Sequence, residues 1–206
     1  MGSLMKVTKR QKIKLTLTLS LSLLSVVLFA IKPSTLKLLC ISAMIVSNFG
    51  DITLMDLKPI TKHFGKNIFK VGIVFFGIAH LLYIILYALK AILLGASLNA
   101  GTLLAIGLTL CAVCMLIIIC FVRKRLTFSL VFLGIIYILI LSITLCTIST
   151  IAFSFGGWFF LTLFGALSFF ISDMIIAFNT ALGHSGGEIP VWILYVTGQL
   201  FLILGA

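Results

Sequence analysis

Seven runs of about twenty apolar residues, separated by short polar connections, leave this chain few ways to fold. Lipid offers no partner to a backbone N–H or C=O, so runs of that length satisfy themselves as membrane-spanning helices. The pattern predicts helices near 14–31, 35–55, 67–89, 101–122, 126–147, 157–179 and 190–205. Thr147 to Ser154 reads as a polar connection, and an eighth helix arises if 91–122 or 148–179 is split. Charged residues make up 9% of the chain and hydrophobic ones 62%, which excludes a soluble domain, where about a quarter are charged. The expectation is an all-α, polytopic transmembrane helix bundle, with a basic tail over 1–13 and one transmembrane domain over 14–206.

The net charge of +11 sits mainly in the connections. Basic residues crowd the amino-terminal tail, the Lys58/Lys62/Lys66/Lys70 region and Arg123-Lys124-Arg125, and they are sparse in the intervening connections. That alternation follows the positive-inside rule and predicts a cytoplasmic amino terminus, in what reads as a bacterial inner membrane. The basic residues therefore imply no nucleic acid partner. Cys111-x-x-Cys114 lies in an apolar run with no second pair or histidine nearby, so packing is expected there, with no metal and no cofactor.

The chain has four acids, and Asp51 and Asp173 fall inside predicted helices. A carboxylate in lipid costs several kcal/mol even by lenient scales, so each marks a functional site. Asp173 shares a helix face with Gly165, Phe169 and Ala177, with Ser172 beside it as a possible hydrogen-bond partner. Both aspartates fall about 6 to 9 Å below the same membrane face on the expected helix ends. His80 and Tyr83 lie on one stripe of the third helix, Tyr195 and Gln199 on one face of the last, and Asn48 a turn from Asp51. Interhelical hydrogen bonding would account for the amides and tyrosines individually. Two carboxylates are more than such glue requires. With no Lys or Arg well inside a helix, desolvation and mutual repulsion favour one protonated acid beside one ionised partner.

These motifs resemble the YhhN-like, or lysoplasmalogenase, family of membrane proteins. The matching pieces are Lys32-Pro33, Gly50-Asp51-x-x-Leu54, and Phe69-x-x-Gly72-x-x-x-Phe76-x-x-x-His80-x-x-Tyr83. Gly165-x-x-x-Phe169-x-x-Ser172-Asp173-x-x-x-Ala177 and Tyr195-x-x-x-Gln199 complete the series. The resemblance implies hydrolysis of the vinyl ether bond of a lysophospholipid, giving a fatty aldehyde and glycerophosphocholine or glycerophosphoethanolamine. It places Asp51 and Asp173 at the family's two acidic positions, and it implies eight helices where the pattern counts seven.

Vinyl ether hydrolysis needs a proton on the alkene carbon and stabilisation of the resulting oxocarbenium ion. Glycosidases solve the same problem with two carboxylates. Asp51, Asp173 and His80 are thus the catalytic candidates, with Asn48, Tyr83, Ser172, Tyr195 and Gln199 as candidates for holding substrate or water. Lys58, Lys62, Lys66 and His63 are candidates for the phosphate. The alternatives are a small proton- or cation-coupled transporter using the same Asp/His cluster, and a nonenzymatic lipid-binding or structural membrane protein. The expected partners are the lysophospholipid substrate and the bilayer; nothing in the sequence fixes the oligomeric state.

Overall fold

A computed structural model describes residues 9–55, 63–123, 127–183 and 188–206. Among them are seven α-helices and no strand. They are α1 (Lys9–Ile31), α2 (Thr35–Leu54), α3 (Ile68–Leu94), α4 (Ala100–Arg123), α5 (Phe128–Phe155), α6 (Phe159–Leu182) and α7 (Glu188–Leu204). Five are long and apolar enough to cross a membrane by length and composition, which makes this a multi-pass membrane protein. The last helix has 17 residues, or about 26 Å of rise, a little under a typical hydrocarbon core.

The helix ends have local causes. Between α1 and α2, Lys32-Pro33 interrupts the backbone ladder, and Ser34 caps α2 by accepting a hydrogen bond from the Lys37 N–H. Gly183 ends α6 at φ 70°, a left-handed conformation that glycine adopts without strain.

Three helices run further than the hydropathy pattern predicts. The segment 147–154 is not a connection but the last two turns of α5. Its hydroxyls are absorbed into the helix: Thr150 donates to the Cys146 carbonyl at 2.9 Å and Thr147 to the Thr144 carbonyl at 2.8 Å. Helix α3 continues past Lys90, whose ammonium donates to the Gly205 carbonyl and lies 5.5 Å from the Phe159 ring centre. Helix α6 continues to Leu182. The spare length that suggested an eighth helix lengthens its neighbours instead. The basic residues Lys58, Lys62, Lys124 and Arg125 lie outside the described residues.

Six of the helices close a ring in the order α1, α2, α3, α5, α6, α7 and back to α1. Helix α4 packs outside it, against α5 and α6. Cys111 and Cys114 are exposed on α4, remote from the ring's interior. Glycines bring the backbones of α6 and α7 into direct contact. A Cβ added to Gly165 would sit 2.5 Å from the Phe201 Cβ, and one added to Gly198 would sit 3.0 Å from the Gly165 carbonyl oxygen. Small residues here let two backbones touch, which is how helices pack well without a hydrophobic drive in lipid.

Gly165→Ala and Gly198→Ala are each expected to destabilise the fold by about 1–3 kcal/mol through overpacking. Gly107→Ala, where an added Cβ meets nothing within 4 Å, serves as the neutral control. Thermal unfolding in detergent checks the order. Equal melting temperatures for all three variants would show that the α6/α7 approach is not tight.

Candidate active site

The ring encloses a cavity of about 620 Å³ lined by residues from all six of its helices and none from α4. It lies toward the helix ends that carry the amino terminus, because its lining comes from the first turns of α1, α3, α5 and α7 and the last turns of α2 and α6. Most of the wall is apolar, including Phe69, Ile73, Phe76, Leu130, Ile138 and Val191.

Asp51 and Asp173 both face this cavity. Asp51, near the end of α2, accepts a hydrogen bond from the Tyr195 hydroxyl of α7 at 2.7 Å. Asp173 on α6 accepts one from the Tyr137 hydroxyl of α5. Each carboxylate is thus held by a phenol from a different helix, and the two Asp–Tyr pairs together draw on four of the six ring helices. Tyrosine suits the task because its body packs in an apolar wall while its tip donates. The Tyr195 ring is set edge-on against Phe76 at 5.9 Å and Phe169 at 5.2 Å.

The depths differ from the sequence-based estimate. Because α6 runs on to Leu182, Asp173 lies nine residues, about 14 Å, from its helix end, whereas Asp51 lies three residues, about 5 Å, from the end of α2. The two helices nevertheless present both groups to one space.

Below the cavity lies a polar floor. Gln199 accepts from the Tyr83 hydroxyl at 2.7 Å and donates to Ser47 at 3.2 Å and to the Tyr195 oxygen at 3.4 Å. A continuous hydrogen-bonded path therefore runs from Tyr83 through Gln199 and Tyr195 to Asp51. Tyr83 and Gln199 are wholly buried and support the site without lining the cavity. His80 is also in the floor. It packs edge-on against Phe169 at 4.5 Å and its Nδ1 lies 3.3 Å from the Thr144 hydroxyl, while its Nε2 has no partner among the described residues.

Two further candidates are redirected. Ser172 lines the cavity, but its hydroxyl donates to the Val191 carbonyl at 3.0 Å, stitching α6 to α7 rather than serving Asp173. Asn48 points away from the cavity and donates to Ser22 on α1 at 2.7 Å. Of the phosphate candidates, His63 is exposed and outside the cavity lining, and Lys58, Lys62 and the Lys66 side chain fall outside what the structure describes.

Sequence reasoning missed Tyr137 and Trp192. Tyr137 lies in a helix that is apolar on every side, so no periodicity set it apart; the signal available was a phenol nine residues into a membrane span. Trp192 lines the cavity, and its buried indole N–H has no protein partner among the described residues.

The sequence pattern of the YhhN family matches residues 11–206. The chain belongs to the YhhN family. No curated relative and no solved structure matches it. The matched span includes both Asp–Tyr pairs and the floor residues. Among the described residues no group of three or more His, Cys, Asp or Glu is placed to hold a metal ion.

Gln199→Leu is expected to cost about 1–3 kcal/mol by stranding buried polar partners. Asn48→Ala, which removes one hydrogen bond from an amide whose carbonyl is already unpartnered, costs less. Thermal unfolding of both variants in detergent ranks them, and an equal or reversed ranking would remove Gln199 as the centre of the floor.

Proposed function

We propose that this YhhN-family protein is a lysoplasmalogenase-like hydrolase, cleaving the vinyl ether bond of a lysophospholipid by carboxylate acid/base catalysis. What carries the reading is that two aspartates, each held by a tyrosine, face one mostly apolar cavity in a member of that family. Such a cavity accepts an alkenyl chain, and the carboxylates supply what the chemistry lacks in lipid: a proton and a fixed negative charge.

One aspartic acid delivers its proton to the alkene carbon remote from the ether oxygen. The C=C π pair forms the new C–H bond, and an oxygen lone pair stabilises the adjacent cation as an oxocarbenium ion. The partner carboxylate stabilises that ion and takes a proton from the water that adds to it. The hemiacetal then collapses: its O–H proton leaves, the C–O bond to glycerol breaks, and the glycerol oxygen is protonated. The balance is one vinyl ether and one water giving one aldehyde and one alcohol. Tyr137 and Tyr195 hold the carboxylates against rotation, so that the oxygen not engaged by the phenol faces the substrate. The reading gives the chemistry to the aspartates and leaves His80, Tyr83 and Gln199 to the floor.

A transport cycle built on the same residues would have to pass cargo through the layer of Tyr83, Tyr87, Phe169 and Gln199, all of them almost fully buried. The hydrolase needs no such opening. On the positive-inside reading the cavity faces the cytoplasm, so lysolipid would enter from the inner leaflet.

The purified protein in detergent is expected to release aldehyde from a lysoplasmalogen and not from its saturated alkyl-ether analogue. Asp51→Asn and Asp173→Asn should each lower kcat by at least about 100-fold, the usual scale of a lost acid/base group. Tyr137→Phe and Tyr195→Phe should lower it by roughly tenfold, the scale of about 1.4 kcal/mol in a barrier. Folded wild-type protein that releases no aldehyde would overturn the reaction. Folded Asp→Asn variants with full activity would overturn the site.

A further inference from the structure

The outer part of the cavity carries a pair of opposite charges that the reaction does not use. Among the described lining residues, Lys14 on α1 is the one cation, and Glu188, the first residue of α7, is the one acid besides the two aspartates. Helices α1 and α7 are neighbours in the ring. Gln11, Asn179 and Thr180 complete the polar lining at this level, while the wall between them and the Asp–Tyr pairs includes Met55, Val131 and Ile176.

We propose that Lys14 and Glu188 form a head-group site selecting a zwitterionic lysolipid, with its phosphate at Lys14 and its ammonium at Glu188. The proposal rests on the hydrolase reading for its choice of lipid. Its geometry comes from the helices. Glu188 lies seven residues before Tyr195, about 10 Å along α7 from the tyrosine that holds Asp51. In a lysophospholipid the ammonium nitrogen is nine bonds from the ether oxygen, roughly 11 Å when extended. A lipid with its ether at the Asp–Tyr pairs thus has the length to bring its ammonium to the level of Glu188. The phosphate falls between, where Lys14 lines the cavity one turn along α1 from Gln11, whose amide donates to the Met55 carbonyl at the end of α2.

Charge explains why both residues are needed. A phosphate close to two aspartates meets repulsion, which the Lys14 ammonium offsets. A phosphate lacking an attached amine would meet Glu188 as a second repulsive group, so the same carboxylate that attracts an ethanolamine or choline rejects a bare phosphate. Like-charge rejection of this kind sets specificity more than affinity.

The test separates binding from turnover. Short-chain saturated alkyl lysolipids, which the proposed reaction does not cleave, are titrated calorimetrically into the full-length protein in detergent. One carries phosphocholine and the other a bare phosphate. Wild type is expected to prefer phosphocholine by about tenfold, equivalent to about 1.4 kcal/mol. Glu188→Gln should abolish that preference, Glu188→Asp should keep it, and Lys14→Gln should weaken both lipids. Each variant is first checked for unaltered thermal unfolding. Equal binding of the two lipids by wild type, or a preference that survives Glu188→Gln, overturns the head-group site. Aldehyde release is measured on the same preparations. Release with no head-group preference sinks this site and leaves the hydrolase; preference without release sinks the hydrolase and leaves the site.

Discussion

A carboxylate placed inside a membrane span must be given a donor, and the donor must come from a neighbouring helix. That requirement organises this protein. Within one helix the backbone donors are already spent on its own ladder, so Asp51 and Asp173 each recruit a phenol from across the bundle. The two bonds tie α2 to α7 and α5 to α6, so the same interactions that make the acids tolerable help to draw the ring around a shared space. A phenol donates a hydrogen bond without bringing a charge of its own, unlike a lysine or arginine in the same role.

The supporting layers show why the phenols stay in register. Gly198 lets α7 lie directly on α6, and Gln199 follows it in sequence, so the closest backbone contact fixes the height of the amide. Gln199 in turn contacts the Tyr195 oxygen one turn above and receives the Tyr83 hydroxyl from α3. Backbone contact, amide, phenol and carboxylate therefore form one chain of constraint. Ser172 adds a stitch between α6 and α7 near the level of Asp173. These constraints lie on the inner side of the cavity, beneath the two Asp–Tyr pairs.

How much of this was legible depended on contrast. Asp51 and Asp173 stood out because a charge in an apolar run is costly wherever it faces. Tyr195 and Gln199 stood out because a four-residue spacing shares one helix face. The ring of six and the outlying α4 were not legible, since hydropathy reports that a helix is in the membrane and not what it touches. Tyr137 escaped for the same reason: α5 is apolar on every side, and a phenol packs into such a helix without disturbing its pattern. Ser172 and Asn48 were placed near the right groups and aimed at the wrong ones, because sequence gives a side chain's height and face but not the rival acceptor across the helix gap. The ends of α3, α5 and α6 ran long because polar groups that look like connections found internal partners.

The difference in depth between the two aspartates bears on how such a site divides its labour. Asp51 lies near the end of its helix with Tyr195 as its described partner, while Asp173 lies deeper with Tyr137. Two carboxylates in identical surroundings would compete for one proton with no preferred answer. On the proposed reading, different depths and neighbours give the two acids the distinct surroundings that a division into proton donor and charge stabiliser requires. The asymmetry has a topological source. Asp51 lies on a helix that is ending at this face, Asp173 on one that continues for more than two further turns, and the ring brings both to the same cavity wall. A symmetrical pair of helices would have matched their depths and lost the distinction.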